Sequence, residues 1–267
     1  MEPAKPYTTE TLLVPQLENV TLYEEIRRIP GSAKLIVLAF SLAAVAFVAL
    51  GGFLAILWAT AGIFIVVYGA IERARRERLM RAFAELNGLK FLPDAGLESF
   101  SADFFFQGHS QKVSHVISGV FNRHPIRFFT FEFTTGSGKR KTKHYNAGIE
   151  ASLDVSIPSL IISPNTWSDY EPHQEMEPVL LEGNFGEHFH VWAGKGMQRE
   201  AREVLTPDEM SYLIDHARDY TIEFHRDKIY LFKRDYPINS PEELQNIISV
   251  IRYLLSEWSP VVKRILN

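Results

Sequence analysis

From Leu35 to Ile71 the chain runs through thirty-seven positions without one charged side chain, whereas polar and apolar residues mix at short intervals on either side of it. In water such a run would expose a large apolar surface; in a bilayer it is the expected lipid-facing skin of spanning helices. As one α-helix it would be about 55 Å long against a hydrocarbon layer of about 30 Å, more than the usual tilt of about 20° absorbs. Gly51-Gly52 lies near its midpoint, where two residues without a Cβ permit a reversal. The pattern therefore predicts a helical hairpin, with legs Gly31 to Ala49 and Phe53 to Ile71. Ala39, Ala43 and Ala46 on one leg and Ala55, Ala59 and Gly62 on the other supply small residues at helical spacing.

Beyond the run, Glu72 to Leu86 continues the second leg and stops at Asn87-Gly88, where a left-handed cap is easy. Strand patterns follow at Val113 to Phe121 and Ile126 to Phe133, then near Lys141 to Leu153, Ser159 to Ile162 and Glu187 to Trp192. Pro164 to Pro178 reads as a long surface loop, and Met197 to Leu205 as a helical turn. Thr206-Pro207-Asp208-Glu209 and Ser240-Pro241-Glu242-Glu243 each place a hydroxyl at the cap, proline first in the helix and glutamate three residues after the cap. Helices Pro207 to Arg218 and Pro241 to Trp258 are expected from them. Between these, Tyr220 to His225 and Lys228 to Lys233 read as a hairpin about Arg226-Asp227. Leu244, Ile247, Ile248, Ile251, Leu254 and Leu255 make a stripe that buries against the sheet. The N-terminal arm is broken by Pro3, Pro6, Pro15 and Pro30, which leaves room for one short amphipathic helix over Leu17 to Arg28; it either lies on the membrane surface or docks on the later domain, and its three glutamates favour docking.

The expected fold is α+β in four parts. Residues 1–30 are a cytosolic arm, 31–71 a transmembrane helical hairpin, 72–87 a basic juxtamembrane helix, and 88–267 a cytosolic antiparallel-sheet domain with packed helices. Strands closed by an amphipathic C-terminal helix suit a pleckstrin-homology-like barrel.

Charge adds an orientation. Arg27, Arg28 and Lys34 precede the run, and Arg73, Arg75, Arg76, Arg78 and Arg81 follow it. Basic residues beside spanning segments stay cytoplasmic, so a hairpin keeps both clusters and both termini inside an inner (plasma) membrane. The five later arginines are candidates for lipid-headgroup contact, each worth about 1 kcal/mol near an anionic surface. Cysteine is absent, which excludes disulfides and thiolate metal sites, and a formal net charge of −4 gives no reason to expect nucleic acid.

Candidate chemistry is sparse. His188 and His190, two apart on an expected strand, would share a face as two metal-bound imidazoles require. An acidic ligand four or five residues later is missing, since Gly194 and Lys195 stand there; the pair is a weak metal candidate and no cofactor is implied. Gly136-Ser137-Gly138-Lys139 resembles the tail of a phosphate loop but joins two strands and lacks the remaining residues, so it reads as a turn. Lys139, Arg140, Lys141 and Lys143, near Tyr145, read as a solvated hairpin tip, with an anion or headgroup contact as the alternative. His109, His115, His124 and His144 are possible partners of Asp103 or Asp154, and no nucleophile motif is present.

One stretch resembles a known family. Leu181-Glu182-Gly183-Asn184-Phe185, Phe189-His190-Val191 and Arg199 through Met210, with its Leu205-Thr206-Pro207-Asp208 helix start, are similar to the bacterial membrane family called domain of unknown function 3137. The resemblance implies a bacterial setting and a spanning pair ahead of a soluble domain; it brings no activity and no functional residues. Two classes of function follow. The first is a membrane-anchored binding or scaffolding module that recruits a cytosolic protein partner or senses lipid at the inner face. The second is a membrane-bound hydrolase whose histidines and carboxylates meet only in the fold.

Overall fold

The computed structural model describes residues 8–9, 11–16, 31, 34–35, 38–39, 53–167, 170–173, 175–235 and 238–258, of which 8–9 and 53–60 by backbone. Its elements are β1 (Thr8–Thr9), α1 (Phe53–Leu86), β2 (Lys90–Ala95), β3 (His109–Phe121), β4 (His124–Thr135), β5 (Thr142–Pro164), β6 (Met176–Pro178), β7 (Phe189–Gly194), α2 (Gln198–Val204), α3 (Pro207–His216), β8 (Tyr220–Lys233) and α4 (Pro241–Tyr253). The fold is α+β, as expected, and every strand pairing is antiparallel except that of β1 with β3.

β5 is the hub. Its first half pairs with β4 and its second half with β7, while β8 accompanies it along the other edge through both halves. Through β4 it carries β3, which holds β2 and β1; through β7 it carries β6. Among the described residues these pairings form an open branched sheet and no strand closes it. Of the pleckstrin-homology-like barrel, only the antiparallel strands and the packed C-terminal helix are present.

Two sequence expectations are corrected here. Lys141 to Leu153 and Ser159 to Ile162 are not separate strands but parts of the 23-residue β5. Tyr220 to His225 and Lys228 to Lys233 are not a hairpin but one strand, β8. A two-residue hairpin turn of the usual kind needs left-handed backbone at both central positions, or at the first with a glycine there. Arg226 alone is left-handed, with φ 57°, and the chain continues forward opposite the irregular stretch of β5 between Ser152 and Ile157. Paired bulges bend both strands without reversing either.

Alternation along β4 divides the interior. Ile126 and Phe128 face one core, where Leu79, Met80 and Phe83 of α1 and Leu244, Ile247, Ile248 and Ile251 of α4 pack. Phe83 meets Phe128 edge-on with ring centroids 5.2 Å apart. Phe129, Phe131 and Phe133 face the second core, an aromatic cluster with Phe100, Phe104, Phe105, Trp167, Tyr230 and Phe232. Phe104 is its centre, touching five other rings within 6.1 Å.

Ser240 caps α4 as expected, its hydroxyl accepting from the Glu243 N–H at 3.2 Å. Thr206 makes no such side-chain bond at the start of α3, so there the proline at the first helical position defines the start without a hydroxyl cap. The expected stripe of α4 and its continuation (Leu244, Ile247, Ile248, Ile251, Leu254, Leu255) is buried throughout. At the end of α1, Gly88 takes φ 63° and Leu89 N–H reaches back to Ala84 O at 2.7 Å, the wrapped cap that Asn87-Gly88 predicts.

Asn87 does more than end the helix. Its buried amide accepts from Leu13 N–H at 2.7 Å and donates to Leu13 O and Phe83 O, each at 2.8 Å. Leu12 inserts into the first core beside it, and Thr8–Thr9 pairs with Val120 and Phe121. The arm is therefore fastened to the domain that follows the apolar run. The expected helix Leu17 to Arg28, the Gly51-Gly52 reversal and most of the first leg lie outside the described residues. Among the described residues no helix is long and apolar enough to cross a membrane; in α1 the side chains are described from Ala61 onward.

Replacing Phe104 by alanine is expected to cost about 3–5 kcal/mol in urea unfolding of the full-length chain, the range for a buried ring leaving a cavity. Leu180→Ala, at an 84% exposed position, is expected to change it by less than about 0.5 kcal/mol.

Candidate functional site

The face of β4 that carries Ile126 and Phe128 continues through Thr130 to Glu132, turning from apolar to charged. α1 crosses that face in the same sense, from Phe83 through Arg76 to Tyr68. Where the two diverge a cleft of about 640 Å³ opens. Arg73 and Arg76 line it from α1, Asp94 from β2, Lys112 and His115 from β3, and Glu132 and Lys143 from β4 and β5. This is the size of a small-ligand pocket.

Its walls are built by cross-strand ion pairs. Lys112 meets Asp94 at 2.8 Å and Lys143 meets Glu132 at 2.6 Å. Burial opposes the charge on Lys143, but hydrogen bonds with Glu132 and Tyr145 outweigh it and raise its pKa. The same ammonium lies 4.7 Å from the centre of the Tyr145 ring. Arg76 is nine-tenths buried, and its Nε donates to Asn239 Oδ1 at 2.9 Å. Burial lowers its pKa, with Glu132 and Glu72 pulling the other way; a guanidinium stays charged regardless.

His115 enters the cleft through a bulge. Between Ser114 and Ile117 β3 spends one more residue than β4 spends between Thr130 and Phe128, and His115 takes φ 53°. The extra residue restores Ile117 to the apolar face and aims the imidazole at the charged end. Burial, then the Arg76 charge, lowers the His115 pKa against weaker pulls from Glu77, Glu132 and Asp94.

The predicted headgroup arginines thus do not act as one collar. Arg73 and Arg76 enter the cleft. Arg81 pairs with Glu77 at 2.7 Å and covers the Phe91 ring at 4.4 Å. Arg78 Nε donates to Ala74 O at 3.4 Å, and Arg75 is exposed. Sequence reasoning missed Lys112 and Glu132 and offered His115 only as a partner of Asp103 or Asp154, because their strand patterns carry no sign of the helix above them.

Other candidates separate. His188 is in a helical-turn conformation after the short helix Phe185–Glu187, not on β7, so it does not share a strand face with His190. The expected pairing fails because Phe185 must turn inward, which ends the extended run before Phe189. Among the described residues no group of three or more His, Cys, Asp or Glu is placed to hold a metal ion. His109 bonds Gly136 O and His124 bonds Ser152 O. His144 lies between Thr135 Oγ1 at 2.9 Å and Asp235 Oδ1 at 2.8 Å. That order of hydroxyl, imidazole and carboxylate is the one a nucleophilic triad uses. Here the ring is buried and stacked on Phe133, and Asn146 also holds Asp235 through its N–H, so the chain of bonds clamps β4, β5 and the segment after β8 together. Lys139, Arg140 and Lys141 are exposed at the hairpin tip, as expected.

A pair of acids is buried beneath the aromatic core. Glu223 accepts from the Asp103 and Phe104 N–H groups, and Asp103 accepts from Tyr170 OH and His173 N–H. Burial pushes the Glu223 carboxyl up to about 8; the two N–H bonds resist and the Asp103 charge assists. These bonds pin the segment that delivers Phe104 and Phe105.

No family model matches the chain, and no curated protein matches it. Among solved structures it is similar to the crystal structure of the mycobacterial trehalose monomycolate transport factor A, TtfA. The TM-score is 0.54 at 10% identity, over 72% of this chain and 96% of that one. At that identity the likeness is one of fold.

Two pH dependences follow. Glu223 keeps a proton in the folded state that the unfolded chain releases above its ordinary value of 4.5. Stability to urea is expected to fall as pH rises from about 5 to 8, by at most about 1.4 kcal/mol per unit, and Glu223→Gln is expected to flatten that slope. His115 is expected to titrate below its usual 6.5 by ring NMR, and Arg76→Gln to move it part of the way back.

Proposed function

We propose that this protein is a membrane-anchored binding module, held at the inner face by a helical hairpin over residues 31–71 and serving to recruit a cytosolic partner or to sense lipid. The observation that carries this reading is the fastening of residues 8–9 and 11–16 to the domain beyond the apolar run. The pairing of Thr8–Thr9 with β3 and the bonds of Asn87 to Leu13 support a common compartment for the arm and the domain, in which an excursion into lipid between them would have to return. A hairpin does so; a single crossing does not.

Further support comes from α1. Phe64 (70% exposed), Ile65 (69%) and Tyr68 (57%) present large apolar side chains outward on the part of the helix that leaves the domain. Leu35 and Leu38 do the same in the helical residues of the first leg. Surface of this kind suits lipid far better than water. The flanking arginines favour the cytoplasmic side for both ends, with the headgroup layer beside them. The similar mycobacterial protein is named a transport factor, which is compatible with service to a membrane process without chemistry of its own. The resemblance to a bacterial membrane family agrees with that setting.

Reporter tags fused to the two termini of the full-length protein are the test. Both are expected on the cytoplasmic face, and the protein is expected to need detergent for extraction. Tags on opposite faces, or release by salt alone, would overturn the reading.

A further inference from the structure

We infer that the cleft between α1 and the sheet binds a phosphodiester headgroup, with the apolar part of the same molecule leaving along Tyr68, Ile65 and Phe64. The inference rests on the membrane reading above for the source of the ligand, and on the cleft itself for its chemistry.

Charge selects the headgroup. Arg73, Arg76, Lys112 and Lys143 face Glu72, Asp94 and Glu132, so the lining carries a single excess positive charge. The two lysines are already held by Asp94 and Glu132, whereas among the described residues neither arginine forms an ion pair. Arg76 is anchored by Nε on Asn239, and among the described residues its terminal nitrogens have no other hydrogen-bond partner. A buried guanidinium fixed at one nitrogen presents the others as a rigid fork, which fits two oxygens of one phosphate. Glu72 and Glu132 would repel a second negative charge. The match is therefore to a monoanionic phosphodiester and not to a multiply phosphorylated headgroup.

Position selects the rest of the molecule. Arg73 and Tyr68 lie within two turns of one helix, and Tyr68 and Gly69, at the end of the apolar run, form one wall of the cleft. The absence of a side chain at Gly69 leaves that wall low, with nothing among the described residues within 4 Å of where a Cβ would stand. A chain attached to the phosphate passes over it onto the exposed Ile65 and Phe64.

Full-length protein in detergent, titrated with dioctanoyl phosphatidylglycerol in a calorimeter, is expected to bind one molecule saturably. Arg73→Gln, at an exposed position, and Arg76→Lys, which keeps the charge but removes the fork, are each expected to weaken binding at least tenfold. Uncharged dioctanoylglycerol is expected to show no saturable binding. Glycerophosphate or inorganic phosphate binding as tightly as the lipid would overturn the amphiphile and leave a soluble phosphate ligand. Equal lipid binding by wild type and both variants would overturn the site altogether. The membrane reading fails separately: arginine-dependent lipid binding by a protein whose termini lie on opposite faces keeps the site and discards the hairpin.

Discussion

The pairing of β5 with β8 through a shared bend is the constraint on which the remaining architecture depends. β5 contributes both of its edges to the sheet, and β2, β3 and β4 reach β6, β7 and β8 only through it. A straight 23-residue strand would extend about 75 Å, far beyond what one small core can cover. The irregular stretch between Ser152 and Ile157, met by the left-handed Arg226 of β8, folds that length into two segments that still share their hydrogen bonds. Because both strands bend together, β4 and β7 attach to the same edge without colliding. Arg127 and Lys228 then meet Glu150 beside the bend, at 2.6 and 3.3 Å, so a nearly buried carboxylate is matched by two cations.

The site follows from the way α1 leaves that sheet. Positions 128, 130 and 132 of β4 and 149, 147, 145 and 143 of β5 lie on one face, and along it side chains change from Phe and Ile to Thr and Tyr, then to Glu and Lys. α1 matches this gradient until Arg76, where its partner is no longer a ring but Asn239. From there the helix runs on without a sheet beneath it. A gap between a departing helix and a sheet edge is ordinarily filled by water or by side chains long enough to reach across. Here the reaching side chains are arginines and lysines, and the bulge at His115 adds an imidazole whose charge is discouraged by burial and by Arg76. One extra residue in β3 thus serves packing and electrostatics at once, since without it Ile117 would turn away from the first core.

Elements with a strong local period were legible in the sequence, and elements decided by a distant partner were not. The α4 stripe, the Ser240 cap, the Asn87-Gly88 stop and the aromatic strand β4 are written in neighbouring residues. A bend and a turn, by contrast, have the same local signature. Arg226-Asp227 is polar and interrupts two apolar runs in either case, and only the presence of β5 across the whole length keeps the chain extended. The same ambiguity split β5 at Asp154 to Pro158. His188 was misplaced because the burial of Phe185, a tertiary demand, overrides the strand pattern that surrounds it. The cleft was half visible: Arg73 and Arg76 stand out by topology, while Lys112, His115, Glu132 and Lys143 come from three strands that nothing local brings under a helix.

Fastening of the N-terminal arm links topology to folding energy. Asn87 has its amide oxygen and nitrogen both committed, and Leu13 both donates to it and accepts from it. Take the arm away and the Asn87 amide loses its two bonds to Leu13, at a net cost of about 0.5–1.5 kcal/mol each. Leu12 would leave a hole in the first core as well. Were residues 35–71 to cross a bilayer an odd number of times, the arm would stand on the far side and those losses would be permanent. An even number of crossings keeps them satisfied. On the membrane reading proposed above, these contacts and the arginines that flank the apolar run are two independent arguments for an even number of crossings.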